Sequence, residues 1–185
     1  MADSVTAVAA DLAAAITDAA AAQEQGKSLS ELQKAVLAAK AALGTDDVSE
    51  ITKKLGEAVA AALAIPDIQP DQDKIGSKDL DLSESRFPLP DSVSQDQATI
   101  VFAAFKVAYD QIMKLKQEPD NNEMLEVYAL GKQGLRTPPE KPGVFNIKGT
   151  YKFNAWAKIV NTHPVKAQAQ YVQVFDRLVN KYGKQ

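Results

Sequence analysis

The 185-residue sequence contains no cysteine, which excludes disulfides, thiolate nucleophiles and cysteine-ligated metal sites. It has a single histidine, His163, with no serine or cysteine nucleophile motif for it to serve. No acid, base and nucleophile can be grouped into a catalytic set, so we expect a protein that binds its ligand without a reaction. We expect no cofactor and no metal.

Long apolar runs are also missing. The longest uncharged run in the first third of the chain, residues 58–66, is far too short to cross a bilayer. The first basic residue is Lys27, and three aspartates precede it, a pattern that fits neither a signal peptide nor a transit peptide. These features predict a freely soluble, cytoplasmic protein without stable membrane insertion.

Arginine is scarce in the second half of the chain, although that half is basic. Residues 1–96 contain eight basic and seventeen acidic residues, whereas residues 97–185 contain thirteen basic and seven acidic residues. The two halves therefore carry net charges of −9 and +6, which predicts two modules with the anion-binding surface on the second. Because Arg136 and Arg177 are its only arginines and no recognised motif is present, we do not expect nucleic acid as the anion.

Residues 1–65 are rich in alanine and show helical periodicity, which predicts a small module of three amphipathic helices. Ser28 and Asp47 are each followed three residues later by glutamate, the spacing that opens the second and third helices. Gly44 is the expected end of the second helix. Buried alanine contributes little area, so such a bundle would be marginal alone. We expect it to pack against the second module, a copy of itself or a protein partner. The alternative is a solvated helical appendage.

Residues 66–94 are proline-containing and acidic, which predicts a linker. Five apolar residues within it are suited to docking on a surface, and we expect partial docking. They are Ile75, Leu80, Leu82, Phe87 and Leu89.

Residues 95–185 are predicted to form four helices. Their expected positions are Ser94 to Gln117, Asn121 to Gln133, a third from about Gly149 or Thr150, and a fourth capped by Thr162 with Pro164 in its first turn. We expect Trp156 in the core, His163 at the surface or capping a helix, and carboxylates such as Asp176 on solvated faces.

Two pairs of residues at helical spacing stand out in this half. Tyr128 and Lys132 are four residues apart, as are Lys148 and Lys152, so each pair shares one face of a helix. Together with Tyr171, they suit a ligand that carries an aromatic base and several phosphates. The alternative interpretation of the lysines is a solvated cationic face, and that of the tyrosines is a place in the core.

This half resembles the acyl-CoA-binding protein family along nearly its whole length. The order and spacing of the matching residues hold on either side of a loop, residues 134–141, that is about two residues shorter than usual. They are Phe105, Leu115, Lys116, Pro119, Glu123, Met124, Leu125, Tyr128, Lys132, Gln133, Pro142, Gly143, Lys148, Gly149, Lys152, Ala155, Trp156, Tyr171, Lys181, Tyr182 and Gly183.

The resemblance implies an all-α, four-helix domain that binds fatty acyl-CoA thioesters for buffering and transport, with no reaction. By that similarity, Tyr128, Lys132, Lys152 and Tyr171 line the CoA head-group site, with the two lysines near the 3′-phosphate. Met124 and Leu125 would border the acyl chain. Lys148 is a further candidate for the ligand-binding site.

Two positions depart from the family pattern. Gly131 stands where the family often has a second aromatic residue, and Met113 stands where it commonly has a lysine. Glycine also weakens a helix by about 1 kcal/mol relative to alanine. These departures leave open an alternative, an interaction or scaffold protein that keeps the fold but binds ligand weakly.

Overall fold

The computed structural model describes residues 5–68 and 81–185. Within those ranges the chain forms seven α-helices, one 3₁₀ turn and no strand, which confirms the all-α class. The helices are α1 (Thr6–Glu24), α2 (Glu31–Leu43), α3 (Val48–Leu63), α4 (Gln95–Gln111), α5 (Asn121–Gly134), α6 (Ile147–Ala157) and α7 (Pro164–Tyr182). Across the part of the chain so described, no helix is both long and apolar enough to cross a membrane.

The last four helices form a unit in which α5 is central. It packs against both α6 and α7, and α4 packs against α7 on the other side. Phe105 on α4 and Phe175 on α7 are fully buried there. Trp156 on α6 is buried as expected, in a smaller apolar cluster shared with Ala129 of α5. The four helices are thus joined in the spatial order α4, α7, α5 and α6.

The first three helices are part of the same hydrophobic core. Both α2 and α3 lie along α4, α3 also packs on α7, and α1 contacts all four of these helices. Leu12, Leu43 and Leu55 are fully buried in one cluster with Phe105 and Phe175. The interpretation as a solvated appendage is therefore wrong, because the module buries its apolar faces against the second half. Binding of a partner protein or self-association through residues 1–65 stays a prediction.

A buried carboxylate joins the two halves. Oδ1 of Asp176, on α7, accepts a hydrogen bond of 3.0 Å from the backbone amide of Val8 in the first turn of α1. Asp176 is only 2% exposed, so the expectation of a solvated position is wrong. Its negative charge lies at the positive end of the α1 dipole. Lys184 adds an ion pair with Asp11 of α1.

Two helix starts differ from the predicted ones. Ser30 caps α2 in place of Ser28. Its hydroxyl accepts a hydrogen bond from the Gln33 amide, and the Gln33 side chain accepts one from the Ser30 amide, so the two residues form a capping box with the same three-residue spacing as Ser28 and Glu31. His163 caps α7 in place of Thr162, whose own amide donates to the preceding turn at Ile159. The predicted caps at Asp47 and Asp120 and the end at Gly44, with a φ of 65°, are confirmed.

Two further helix boundaries are also shifted. The first helix of the second half ends at Gln111 and continues only as a 3₁₀ turn over Ile112–Lys114, short of the predicted Gln117. Helix α6 begins at Ile147, two residues before the predicted Gly149. The reason is that Asn146 caps this helix, with its Oδ1 accepting a hydrogen bond from the Gly149 amide.

His163 is buried, not at the surface. Its Nδ1 accepts from the amide of Val165, and its Nε2 lies 3.1 Å from the carbonyl oxygen of Phe87. A ring that accepts at Nδ1 and donates at Nε2 is the neutral tautomer. Burial, as the first cause, lowers the pKa of His163, which also favours that form. The ring thus anchors the end of the linker to the start of α7.

The described part of the linker docks on the second half. Leu82 and Phe87 are buried against Trp156 and Val160, and Leu89 is half-buried against the main core. Partial docking is thus observed for residues 81–94. Ile75 and Leu80 lie outside the described residues.

Replacing Asp176→Ala should destabilise the fold, because it leaves the buried amide of Val8 without its acceptor. The expected loss is about 1–3 kcal/mol in the free energy of unfolding, measured by urea titration. Asp110→Ala, at an exposed position on α4, is the control and should change stability by no more than about 0.5 kcal/mol. Equal effects of the two substitutions would contradict the capping role.

Candidate ligand-binding site

Three of the sequence-predicted residues meet around the ring of Tyr128. The Lys132 Nζ lies 6.0 Å from the ring centroid, and the Lys152 Nζ lies 5.1 Å from it. Lys132 follows Tyr128 by one turn of α5, whereas Lys152 comes from α6. Each ammonium is within range of a cation–π attraction, so the aromatic ring holds two positive charges near each other.

Tyr171 joins this group from α7. A Cβ added at Gly131, between Tyr128 and Lys132 on α5, would lie 3.6 Å from Cε2 of Tyr171. Tyr171 is 1% exposed and stands edge-on to the ring of Phe105, at 5.1 Å between centroids. The structure therefore brings all four predicted head-group residues to one region, formed by α5, α6 and α7.

The hydroxyl of Tyr171 is buried and has no hydrogen-bond partner among residues 5–68 and 81–185. Burial, as the main cause, raises the pKa of Tyr171 above its ordinary value, so the hydroxyl keeps its proton. Buried hydroxyls in native proteins are almost always paired. This one is a donor without a partner in that part of the chain.

The two lysines of this group have no acidic partner in the described ranges. Neither Lys132 nor Lys152 forms an ion pair there, whereas Lys181 pairs with Glu123 at 2.8 Å and Lys166 with Asp67 at 2.9 Å. Two such ammonium groups near one aromatic ring offer charge-assisted hydrogen bonds to an anion. The arrangement is suited to a phosphate.

Lys148, Met124 and Leu125 lie around this group with different surroundings. Lys148 is exposed one turn before Lys152 on α6, so it adds charge to the same face. Met124 is exposed one turn before Tyr128 on α5. Leu125 lines a separate cleft of about 790 Å³ between α5, α6 and α7. The two predicted acyl-chain residues thus border neighbouring surfaces.

Gln133 joins α5 to α6. From the sequence it is only a residue that matches the family, with no structural role predicted for it. Its Nε2 donates to the carbonyl oxygens of Val160 and Thr162, at 3.2 and 2.6 Å, and its Oε1 accepts from Trp156 Nε1 at 3.0 Å. The fully buried amide thereby sets the distance between Lys132, its neighbour on α5, and Lys152 on α6. No local signal in the sequence identifies these partners, which lie 23 to 29 residues away.

Tyr109 is the other residue that sequence reasoning missed. Its ring lies 5.8 Å from the Tyr171 ring and 5.9 Å from the Phe105 ring, measured between centroids. It is 44% exposed, on the side of α4 that faces Gly131. Its spacing of four residues from the core residue Phe105 was a usable signal.

The start of α5 is held by Glu123. This carboxylate completes the capping box with Asp120, pairs with Lys181 at 2.8 Å and accepts from the hydroxyl of Tyr182 at 2.7 Å. These hydrogen bonds, that from Lys181 first, lower the pKa of Glu123 to about 2. The end of α7 and the start of α5 are thereby tied together.

The helices and the residues they bring together define a small helical binding domain with a cationic, aromatic-lined face, preceded by three further helices. Comparison with known proteins agrees with that class. The family described as acyl CoA binding protein matches residues 102–175. The chain is 34% identical over 86 residues to an acyl-CoA-binding protein of Saccharomyces cerevisiae, covering 45% of this chain and 99% of that protein.

Two animal relatives show the same coverage. Acyl-CoA-binding protein homolog 1 of Caenorhabditis elegans is 38% identical over 82 residues, 43% of this chain and 95% of the relative. The acyl-CoA-binding protein homolog of Manduca sexta is 36% identical over 84 residues, 44% of this chain and 93% of the relative. This chain belongs to the acyl-CoA-binding protein family, and it is more than twice as long as the stretch it shares with these relatives.

The carboxylate of Glu123 should make stability depend on pH in acid. Its folded pKa of about 2 lies below the ordinary value of 4.5, so its contribution is present above about pH 4.5 and is lost as the pH falls toward 2. Glu123→Gln keeps an acceptor for Tyr182 but removes the charge. Urea unfolding should show the wild type more stable than E123Q at about pH 7, with the difference closing in acid.

Glu118→Gln, at an exposed position in the turn before α5, is the control and should show no such pH-dependent difference. A gap between the wild type and E123Q that stayed constant from about pH 7 to about pH 2.5 would be incompatible with the depressed pKa.

Proposed function

We propose that this protein binds, buffers and transports medium- to long-chain fatty acyl-CoA thioesters in the cytoplasm, without catalysing a reaction on them. The observation that carries the proposal is the Tyr128 ring with two ammonium groups, of Lys132 and Lys152, at 6.0 and 5.1 Å from its centroid, neither of which is paired with an acid within the described residues. The relatives, which are named for acyl-CoA binding and are covered almost completely, support it.

Each side chain has a role that follows from its surroundings. Lys132 and Lys152 bind the 3′-phosphate of CoA, and the Tyr171 hydroxyl donates a hydrogen bond to a phosphate oxygen. Tyr128 packs on the adenine base through the part of its ring that the lysines leave open. Lys148 strengthens the positive potential on this face. No step of this binding requires an acid, a base or a nucleophile.

The acyl chain is proposed to lie against apolar side chains near the start of α5. Met124 is exposed there, and Leu125 lines the cleft between α5, α6 and α7. About a dozen buried methylenes at ~0.8 kcal/mol each give on the order of 10 kcal/mol before the costs of association, an estimated 4–15 kcal/mol, are met. Because association has this cost, contacts with the CoA head group alone should give weak binding. Burial of the acyl group should provide most of the net binding free energy.

Affinity should rise steeply with acyl length. Isothermal titration calorimetry should show weak binding of free CoA and progressively tighter binding of octanoyl-, dodecanoyl- and palmitoyl-CoA, until the chain exceeds the groove. Each buried methylene at ~0.8 kcal/mol corresponds to about a fourfold gain. Equal affinities for CoA and palmitoyl-CoA would refute the role of the apolar surface.

Removing both lysines of the group should abolish tight binding. Two charge-assisted hydrogen bonds at about 1.5–3 kcal/mol each predict that Lys132→Ala with Lys152→Ala lowers affinity for palmitoyl-CoA a hundredfold or more. The matched control is Lys27→Ala with Lys53→Ala, which removes the same charge from exposed positions, one after α1 and one on α3, outside the proposed binding site. Calorimetry that gave the two double variants the same affinity would exclude this site.

The alternative, an interaction or scaffold protein with weakened ligand binding, rested on Gly131 and Met113. Met113 is exposed in the 3₁₀ turn after α4, and the space over Gly131 is filled by the ring of Tyr109. No contact in the described residues favours that alternative. Under it, the lysine double variant would bind palmitoyl-CoA as poorly as the wild type does.

A further inference from the structure

Tyr109 occupies the space that a side chain at Gly131 would take. A Cβ built on Gly131 would lie 3.1 Å from Cε2 and 3.7 Å from Cδ2 of the Tyr109 ring. The first distance is tighter than ordinary van der Waals contact, so even a methyl group on α5 would push the ring away. Glycine at this position and tyrosine at 109 are therefore a matched pair, in which an aromatic ring from α4 covers a bare stretch of α5.

The ring continues an aromatic surface. Tyr109 is tilted by 34° against Tyr171, with 5.8 Å between centroids, and both contact the glycine that lies three residues after Tyr128. The oxygen of Tyr109 is also close enough to Tyr128 to be a secondary cause, after burial, of the raised pKa of that phenol. Tyr171, Tyr109 and Tyr128 thus line one side of the site from α7 through α4 to α5.

The exposure of the three rings differs in a way that matters for a ligand. Tyr171 is buried, whereas nearly half of Tyr109 remains open to solvent, and the Tyr109 ring lies over Gly131, which precedes Lys132 on α5. Phe105 packs against the buried part of the Tyr109 ring. An aromatic residue whose inner part is fixed by core contacts and whose outer part is open is a rigid wall for a planar group.

We propose that Tyr109 is a ligand-binding residue, whose exposed ring face packs against the nucleotide base of the bound thioester in place of a side chain on α5. This assignment rests on the proposed function, because it deepens the same site. It makes Tyr109 and Gly131 together a determinant of affinity for the nucleotide part of the ligand and not for its acyl chain.

The test compares two ligands that differ only in the nucleotide. Palmitoyl-CoA carries it, and palmitoyl-4′-phosphopantetheine lacks it. Because stacking on an aromatic side chain contributes substantially per base, Tyr109→Ala should weaken palmitoyl-CoA binding about ten- to a hundredfold. It should change affinity for palmitoyl-4′-phosphopantetheine by less than about twofold. Tyr109→Phe, which keeps the ring, should bind both ligands as the wild type does.

Phe102→Ala is the matched control. It removes another partly exposed aromatic ring from α4, two turns earlier and away from Gly131, so it should leave both affinities unchanged. Thermal unfolding of each variant separates loss of binding from loss of fold, and Tyr109→Leu, which keeps an apolar side chain but removes the ring, replaces the alanine variant if the latter unfolds.

Gly131→Ala gives a second, independent reading. Alanine in place of glycine within a helix favours folding, yet the added methyl group displaces the Tyr109 ring. We expect palmitoyl-CoA affinity to fall at least fivefold in the wild-type background and to be unaffected in the Tyr109→Ala background. A non-additive pair of this kind shows that the two positions act through one contact.

The outcomes are distinct. A loss in Tyr109→Ala that is confined to palmitoyl-CoA, together with non-additivity, supports the assignment. An unchanged affinity, or an equal loss for both ligands, overturns it and leaves the proposed function intact. Absence of palmitoyl-CoA binding by the wild-type protein overturns the proposed function and, with it, this inference.

Discussion

The buried side chain of Gln133 is the contact on which the arrangement of the site depends. Its amide satisfies two backbone carbonyls after α6 and the indole of Trp156, so three polar groups that would otherwise be unpaired in the core are paired by one residue. Lys132 precedes it on α5, and Lys152 lies one turn before Trp156 on α6. The relative position of the backbone segments from which the two lysines extend is therefore set by a buried hydrogen-bond network.

Sequence reasoning recovered the helices because their signals are local, and it also singled out the four residues of the candidate site. A few neighbouring residues are enough to predict the helix caps at Asp47 and Asp120. The same holds for the four-residue spacing that places Tyr128 and Lys132 on one face of a helix. Asp176 was misassigned for the opposite reason, and the burial of His163 was missed for the same one, although His163 does cap a helix as expected. Their partners, the amide of Val8 and the carbonyl of Phe87, are more than seventy residues away, and no periodicity reports them. The role of Tyr109 depends on the absence of a side chain at Gly131, which only the approach of the Tyr109 ring to α5 in the structure makes visible.

The alanine content of the first three helices has a different meaning in the folded chain than it has in an isolated bundle. Ala58 and Ala62 on α3, and Ala104 and Ala108 on α4, are fully buried in the shared core. Small side chains let helices approach closely, so packing is gained where burial of each residue contributes little. The composition that makes residues 1–65 marginal alone suits them to docking on α4 and α7.

The first three helices pack on α4 and α7, whereas α5 and α6, which carry Tyr128, Lys132 and Lys152, have no comparable packing against them in the described residues. The apolar residues of α4 and α7 lie in one core with those of the first three helices. Removal of residues 1–65 would therefore uncover apolar surface on α4 and α7, so that the second half of this chain depends on the first for its solubility.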